Sequence, residues 1–109
     1  MPKFTIHVPN FKADNQGRPA TSAGDVVAAF ISKITVTAGG CTVVSHNAVG
    51  YWNDDLFGLI TDEQTILEVV CTGSRWQQEV LPLVSQLRID LNQRYLYVTS
   101  VNTDTVFIP

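Results

Sequence analysis

The chain has 109 residues, of which 45% are hydrophobic and 16% are charged, and its formal net charge is −3. A chain of this length predicts one domain that spans residues 1–109. Its seven lysines and arginines are scattered with no two adjacent, which argues against a nucleic-acid partner, because such partners bind clustered basic residues. No apolar run approaches the ~20 residues that cross a bilayer, and the N-terminus lacks the features of a secretion signal. We therefore expect a cytoplasmic protein with neither a nucleic-acid nor a membrane partner.

The first third of the chain predicts a strand, a loop and a helix. Lys3–Val8 alternates apolar and polar residues, which is typical of a strand with one buried face. The polar stretch 10–21 contains Asn, Asp, Gly and Pro, and we expect it to form a loop. Ser22 and Asp25 have the spacing of a capping box, so we expect a helix to begin there. The glycine pair at 39–40 predicts the end of that helix.

Two strands joined by a loop follow. A long second strand is predicted over Cys41–Trp52, and the β-branched run Thr65–Cys71 predicts the third strand. We expect residues 53–61 to form the loop between them. If these strands pair about a centre near residues 56–57, the two cysteines at their outer ends lie roughly opposite each other. Free thiols are the expected state in a reducing compartment, and a cross-strand disulfide is the alternative.

The last third of the chain predicts a second helix and a fourth strand. Ser74 and Gln77 have the spacing of a second capping box, and an apolar stripe at helical spacing follows them. Pro82 falls inside this helix and lacks the N–H that one helical hydrogen bond needs, so we expect a kink or a local loosening there. Gln93–Val101 predicts the fourth strand, and residues 106–108 predict a short terminal strand.

The predicted order of elements is β-α-β-β-α-β, which is the split βαβ, or ferredoxin-like, arrangement. We therefore predict an α+β sandwich in which two helices cover one face of a four-stranded antiparallel sheet, with a short C-terminal strand added. The other face of the sheet must be solvated or covered by a partner. Symmetric association is the usual way to cover such a face, so the sequence favours a homo-oligomer.

The segment Gly50–Cys71 contains the candidate functional residues. It begins with an aromatic pair, Tyr51 and Trp52, and acids follow at four positions: Asp54, Asp55, Asp62 and Glu63. Aromatic faces and carboxylates together can bind a small cationic or ring-bearing ligand. The alternative interpretations are that the acids are solvated loop residues and that the aromatic pair packs at a subunit contact. The two cysteines and two distant histidines match no ligand spacing, so we expect no metal site.

Three groups of residues carry a resemblance to a known family. They are a Gly-x-aromatic tip at Gly50–Trp52, a Thr-acid-Glu-x-Thr sequence at Thr61–Thr65 that opens a strand ending in Cys71, and a Gln-led last strand over Gln93–Val98. With these features the chain resembles the trimeric PII-like proteins, most nearly the bacteriophage S-adenosylmethionine lyases. The resemblance implies a homotrimer that binds a nucleotide-like small molecule, in its sharpest form S-adenosylmethionine, between subunits.

The resemblance also implies roles for particular residues. Glu63 occupies the position of a glutamate that orients the substrate. Trp52 lies at the distance that matches the family's tyrosine, whereas Tyr51 is one residue out of register. Because a slip of one residue turns a strand side chain to the opposite face, the sequence leaves open which of the two faces the ligand. The implied catalytic residues are Glu63 and Tyr51, and the implied ligand-binding residues are Trp52, Gly50, Asp62 and Gln93.

No cofactor is implied by this resemblance, since the reaction of these lyases takes place within the substrate itself. The first hypothesis for the function is the binding of a nucleotide-like ligand between subunits, and its sharpest form is an S-adenosylmethionine lyase. The alternative is a non-enzymatic regulatory or protein-interaction module, in which the tip of the hairpin between the second and third strands docks onto a partner protein.

Overall fold

The computed structural model describes residues 1–102. Its strands are β1 (Pro2–Pro9), β2 (Phe11–Ala13), β3 (Pro19–Ser22), β4 (Thr42–Asp54), β5 (Gly58–Val70) and β6 (Tyr97–Asn102). Helix α1 spans Gly24–Ala38 between β3 and β4. Between β5 and β6 lies one helical segment, here called α2, with an α-helical turn at Gly73–Arg75, a π-helical turn at Trp76–Val80 and an α-helix over Leu81–Asp90. The predicted strand at 106–108 lies outside the described residues.

The main sheet has the strand order β4-β5-β1-β6, and every neighbouring pair in it is antiparallel. Both helices pack on one face of this sheet, so the predicted α+β ferredoxin-like fold is confirmed. The expected loop over residues 10–21 is wrong, because β2 and β3 form a small two-stranded sheet of their own. Their turn is held by Asp14, whose carboxylate accepts the backbone N–H groups of Gln16 and Arg18.

The core lies between the sheet and the helices, and apolar residues at alternate positions of β1 and β5 supply its sheet side. Ile6 of β1 and Leu67 of β5 are directly paired across the strands and are completely buried. From the helices, Ile34 of α1 is also completely buried, and the ring of Trp76 stacks on Phe4 with centroids 4.0 Å apart. Burying each such side chain stabilises the fold by about 1.5–3 kcal/mol.

The start of α1 differs from the prediction, whereas its end agrees. The residue before the helix is Ala23, and no side chain caps its first turn. Ser22 cannot serve as the predicted cap because it belongs to β3, where it pairs with Phe11. At the other end, Gly39 has a φ of 88°, and its N–H donates to the carbonyl of Thr35. This left-handed conformation favours glycine, which is why the glycine pair predicted the end of the helix correctly.

The start of α2 differs from the prediction too and lies earlier in the chain, and its interior contains the expected irregularity. The cap is Thr72, whose Oγ1 accepts the N–H of Arg75 at 3.1 Å, rather than Ser74. In the π-helical turn, the N–H of Leu81 donates to the carbonyl of Trp76, five residues back. Pro82 follows immediately and has no N–H to donate. The local loosening predicted from this proline is therefore confirmed.

The hairpin of β4 and β5 is longer and tighter than predicted. The expected loop over 53–61 is wrong, because the strands continue until Asp54 pairs with Gly58. The carboxylate of Asp54 accepts the N–H groups of Leu56 at 2.8 Å and Phe57 at 3.0 Å, and Gly58 has a φ of 73°. A carboxylate that caps the turn and a glycine at positive φ suit a short connection. The described molecule measures 50 × 23 × 22 Å.

Both cysteines are free thiols. The register pairs Thr42 with Glu68, so Cys41 and Cys71 do not lie directly opposite each other as the sequence suggested. Burial raises the pKa of both thiols above the ordinary value. Within residues 1–102, no helix is both long and apolar enough to cross a membrane.

Candidate functional site

The register of the β4–β5 hairpin divides the predicted site residues between two faces. Gly50 pairs with Asp62, and Trp52 pairs with Ile60. Because side chains alternate along a strand, these residues share one face. Tyr51 and Glu63 lie on the opposite face, where Tyr51 pairs with Thr61 and Glu63 with Val49. The hairpin therefore does not bring its predicted site residues onto one face, and the adjacent acids Asp62 and Glu63 point in opposite directions.

The face that carries Trp52 and Asp62 borders a cleft of about 270 Å³ on the side of the sheet away from the helices. We call it the open-face cleft. Its floor is formed by side chains of β1, β4, β5 and β6, and its walls by the β2–β3 turn and the loop before β6. The side chains that matter for its chemistry are His7, Trp52, Asp62, Gln64, Gln93 and Tyr97.

At the floor of the cleft, the side chain of Gln64 forms hydrogen bonds with two titratable side chains, those of His7 and Asp62. Only 6% of Gln64 is exposed. Its Oε1 lies 3.3 Å from Nδ1 of His7, a hydrogen bond when His7 carries its proton on that nitrogen. The ring of His7 also meets the edge of Tyr97, with centroids 4.8 Å apart. The buried amide thus fixes groups that face any molecule in the cleft.

Asp62 is the acidic group of the open-face cleft. Burial raises the pKa of its carboxyl, a hydrogen bond with Gln64 acts in the opposite direction, and the neighbouring charge of Glu63 raises it further. Its Oδ1 is buried and has no hydrogen-bond partner among the described residues. A buried oxygen without a partner destabilises the ionised form. Asp62 is therefore prepared to accept a hydrogen bond or a positive charge from a ligand.

Gly50 contributes to the cleft through its lack of a side chain. A Cβ added at this position would lie 2.8 Å from Nε2 of Gln64 and 3.2 Å from Nε1 of Trp52. Both side chains occupy space that any larger residue would need. The glycine predicted as a ligand-binding residue thus lies behind Gln64 and Trp52, and it allows them to line the cleft.

Gln93 lies in the wall of the cleft but not in the predicted strand. The strand expected over Gln93–Val101 begins only at Tyr97. After α2, Asn92 has a φ of 53°, and the N–H of Gln93 donates to the carbonyl of Arg88. The guanidinium of Arg88 in turn donates to the carbonyl of Gln93 at 3.0 Å. These bonds hold the chain against the end of α2, so that a loop rather than a strand carries Gln93.

On the opposite face of the hairpin, Tyr51 is 67% exposed, and the carboxylate of Glu63 has one described partner. Nδ2 of Asn10 donates to Oε1 of Glu63 at 3.1 Å. Within residues 1–102, neither Tyr51 nor Glu63 is among the side chains that line the open-face cleft of the same subunit.

Sequence reasoning missed Gln64, His7 and Asn10. In the predicted elements Gln64 and Asn10 lie just outside a strand and His7 lies near the end of one, where polar residues are ordinarily solvated, so their identity alone carried no signal.

A second cavity of about 520 Å³ lies at the other end of the sheet and includes both cysteines. Among residues 1–102, no group of three or more His, Cys, Asp and Glu side chains is arranged to hold a metal ion.

Neither the known protein families nor the curated proteins include a match to this sequence. Solved structures do match. A phage S-adenosylmethionine lyase in complex with S-methyl-5′-thioadenosine is 19% identical, with 92% of this chain and 79% of that chain covered and a TM-score of 0.65. The divalent cation tolerance protein CutA1 from Thermus thermophilus is 12% identical, with 98% and 88% covered and a TM-score of 0.62. The predicted resemblance to the PII-like ferredoxin-like proteins is confirmed at the level of the fold.

Proposed function

We propose that this protein binds a nucleotide-like small molecule between the subunits of a cytoplasmic homotrimer and that, in the sharpest form of the hypothesis, it is an S-adenosylmethionine lyase. The observation that carries the proposal is the open-face cleft, which gathers Trp52, Asp62 and Gln93. The likeness of the fold to a phage S-adenosylmethionine lyase supports the choice of S-adenosylmethionine as the first ligand to test.

The groups around the cleft suit the charges of this ligand. S-adenosylmethionine carries a sulfonium cation, an ammonium group and a carboxylate. The indole of Trp52 can cover the sulfonium by a cation–π contact, and Asp62 can accept a hydrogen bond from the ammonium or from a ribose hydroxyl. Arg94 also lines the cleft, and its guanidinium is suited to the carboxylate.

The reaction needs no cofactor and no external reactant. In the proposed reaction the substrate's own carboxylate oxygen forms a bond to its γ-carbon, and the bond from that carbon to sulfur breaks. Sulfur keeps the electron pair and leaves as the neutral thioether methylthioadenosine, while the remainder closes as a lactone. Because no proton has to move in this step, we expect the protein to contribute orientation and the exclusion of water.

Two features favour a site that a second subunit completes. The cleft of about 270 Å³ lies just below the range of roughly 300–1,000 Å³ that small-molecule sites occupy. Furthermore, Glu63 and Tyr51 lie on the face of the hairpin that this cleft does not include. One subunit therefore cannot offer both sets of residues to the same ligand, whereas the cleft of one subunit and the hairpin of its neighbour can.

The direct test is incubation of the purified protein with S-adenosylmethionine, with methylthioadenosine measured by chromatography. We expect product formation by the unmodified protein and a rise in melting temperature when ligand is present. Glu63→Gln and Trp52→Ala should each leave the protein inactive, and Asp62→Asn should reduce the rate. Absence of both product and thermal shift would overturn the proposal and favour the interaction-module alternative.

A mixing experiment tests the shared site. Glu63→Gln and Trp52→Ala proteins, each inactive alone, are unfolded together and refolded as mixed oligomers. If each site combines the cleft of one subunit with the hairpin of the next, random mixing restores about a quarter of the activity. If both residues act within one subunit, the mixture stays inactive, which would contradict the shared site while leaving the activity itself intact.

A further inference from the structure

Asn10, between β1 and β2, connects several segments of the fold at the base of the β4–β5 hairpin. Its side-chain Nδ2 donates to the carbonyl of His46 at 2.7 Å and to Oε1 of Glu63 at 3.1 Å. Its Oδ1 accepts the hydroxyl of Thr65 at 2.6 Å. Its backbone N–H donates to the carbonyl of Glu63, and its own carbonyl accepts the N–H of Ala23, the residue before α1. Both ends of the amide are therefore paired, and their orientation is fixed.

The carbonyl of His46 lies in an irregular part of β4. The pairing of β4 with β5 shifts between Val43 and Ser45 and again between Ser45 and Ala48. Such shifts leave backbone groups outside the ladder of strand hydrogen bonds. Asn10 supplies a donor for one of these groups, and the hydroxyl of Thr65 lies 3.5 Å from the same carbonyl.

These two shifts decide which side chains share a face. A single shift of one residue would turn the rest of β4 over relative to β5. Two shifts restore the original alternation, so that Val43 is paired with Leu67 and, after both shifts, Val49 is paired with Glu63. A residue that holds the shifted segment therefore also keeps Tyr51 on the face of Glu63 and Trp52 on the face of the cleft.

We propose that Asn10 is a positioning residue that holds one carboxylate oxygen of Glu63, leaves the other oxygen for the ligand, and secures the shifted segment of β4. The assignment of Glu63 to the ligand rests on the function proposed above, whereas the restraint on its side chain does not. A hydrogen bond to a charged acceptor is among the stronger ones in proteins. A held carboxylate also loses less conformational freedom when a ligand binds.

The test compares Asn10→Asp with a control that loses a hydrogen bond elsewhere. Asn10→Asp keeps the size of the side chain and an acceptor for Thr65, but it loses both donors. The control is Gln86→Ala on α2, since Nε2 of Gln86 donates to Asp90 at 2.9 Å on the exposed helix surface. If Asn10→Asp does not fold, Thr65→Val, which removes the hydroxyl that orients the amide, decides the outcome.

The first measurement is the set of three-bond NMR couplings of the Glu63 side chain. It needs no ligand. We expect one dominant rotamer in the unmodified protein and in Gln86→Ala, and averaged couplings in Asn10→Asp. Unchanged couplings in a folded Asn10→Asp or Thr65→Val protein would overturn the inference.

The second measurement is the steady-state rate with S-adenosylmethionine. Loss of an orienting contact should lower kcat by about tenfold or more and change KM much less. If the unmodified protein forms no methylthioadenosine while the couplings of Glu63 still respond to Asn10→Asp, the proposed function is wrong and the positioning role stands. If the protein is active, Glu63→Gln is inactive and Asn10→Asp keeps full activity, the positioning role is wrong and the function stands.

Discussion

Replacement of Gly50 by alanine is the most direct test of how the open-face cleft is built. The new Cβ would lie 2.8 Å from Nε2 of Gln64 and 3.2 Å from Nε1 of Trp52. Neither side chain can keep its place, because contacts below 3.0 Å are essentially never seen for real Cβ atoms and those just above it are tight. Gln64 is buried, so its displacement also disturbs its hydrogen bonds with His7 and Asp62.

The size of the effect follows from these contacts. Overpacking of a buried site costs about 1–3 kcal/mol, and the lost hydrogen bonds of Gln64 contribute about 1 kcal/mol each. Alanine recovers part of this, since it lowers the conformational entropy of the unfolded chain by about 0.4–1 kcal/mol. We therefore expect Gly50→Ala to lower the free energy of unfolding by about 2–5 kcal/mol, which in a domain of this size lowers Tm by roughly 4–8 °C per kcal/mol.

Gly40→Ala is the matched control, because a Cβ added there meets no atom within 4 Å. Both variants are unfolded by heat and by urea, and their affinity for S-adenosylmethionine is measured by calorimetry. Gly50→Ala should lose stability and affinity together, while Gly40→Ala stays within about 0.5 kcal/mol of the parent protein. Equal stability and equal affinity for the two variants would refute the steric role assigned to Gly50.

Three further predictions concern stability, and urea unfolding checks each of them. Thr72→Ala removes the cap of α2 and should cost about 1 kcal/mol, whereas Thr72→Ser should keep most of it. Ile34→Ala opens a cavity at a completely buried site and should cost about 2–5 kcal/mol. For Asp62, the pKa is higher in the folded than in the unfolded state, so the folded protein binds more protons just above pH 3.8, the ordinary value. The contribution of Asp62 to the free energy of unfolding therefore falls as pH rises through that window and stays lower above it. Unfolding measured over a pH series should show a smaller fall in Asp62→Asn than in the parent protein.

The order of the main elements could be predicted from the sequence because periodicity and backbone geometry both encode it. Alternation in β1 and the apolar stripe of α1 reflect faces that must be buried. The end of α1 could be predicted because Gly39 adopts a φ of 88°, which other residues rarely adopt. Pro82 likewise marked the irregular part of α2, since the missing N–H is a property of the residue itself.

The register of the hairpin and the details of the cleft could not be predicted in this way. The sequence predicts a loop over residues 53–61, but the carboxylate of Asp54 accepts two backbone N–H groups and makes a shorter turn stable. The two shifts in β4 flank the carbonyl of His46, and its donor is Asn10, which is distant in sequence. Gln93 lies in a loop because of contacts with the end of α2. Each of these outcomes depends on specific hydrogen bonds that a periodic pattern does not contain.

The two-faced hairpin also bears on the proposed assembly. A site that combines the cleft side of one subunit with the Glu63 side of another needs at least two chains. A twofold contact can form such sites in pairs, because residue i of one subunit meets residue j of its partner and the reverse, whereas a head-to-tail contact forms them around a ring such as a trimer. For the proposed trimer we expect the mass of the assembly in solution to be that of three chains. A monomer that keeps full activity after dilution would contradict the shared site, whereas a stable dimer would contradict the trimer alone.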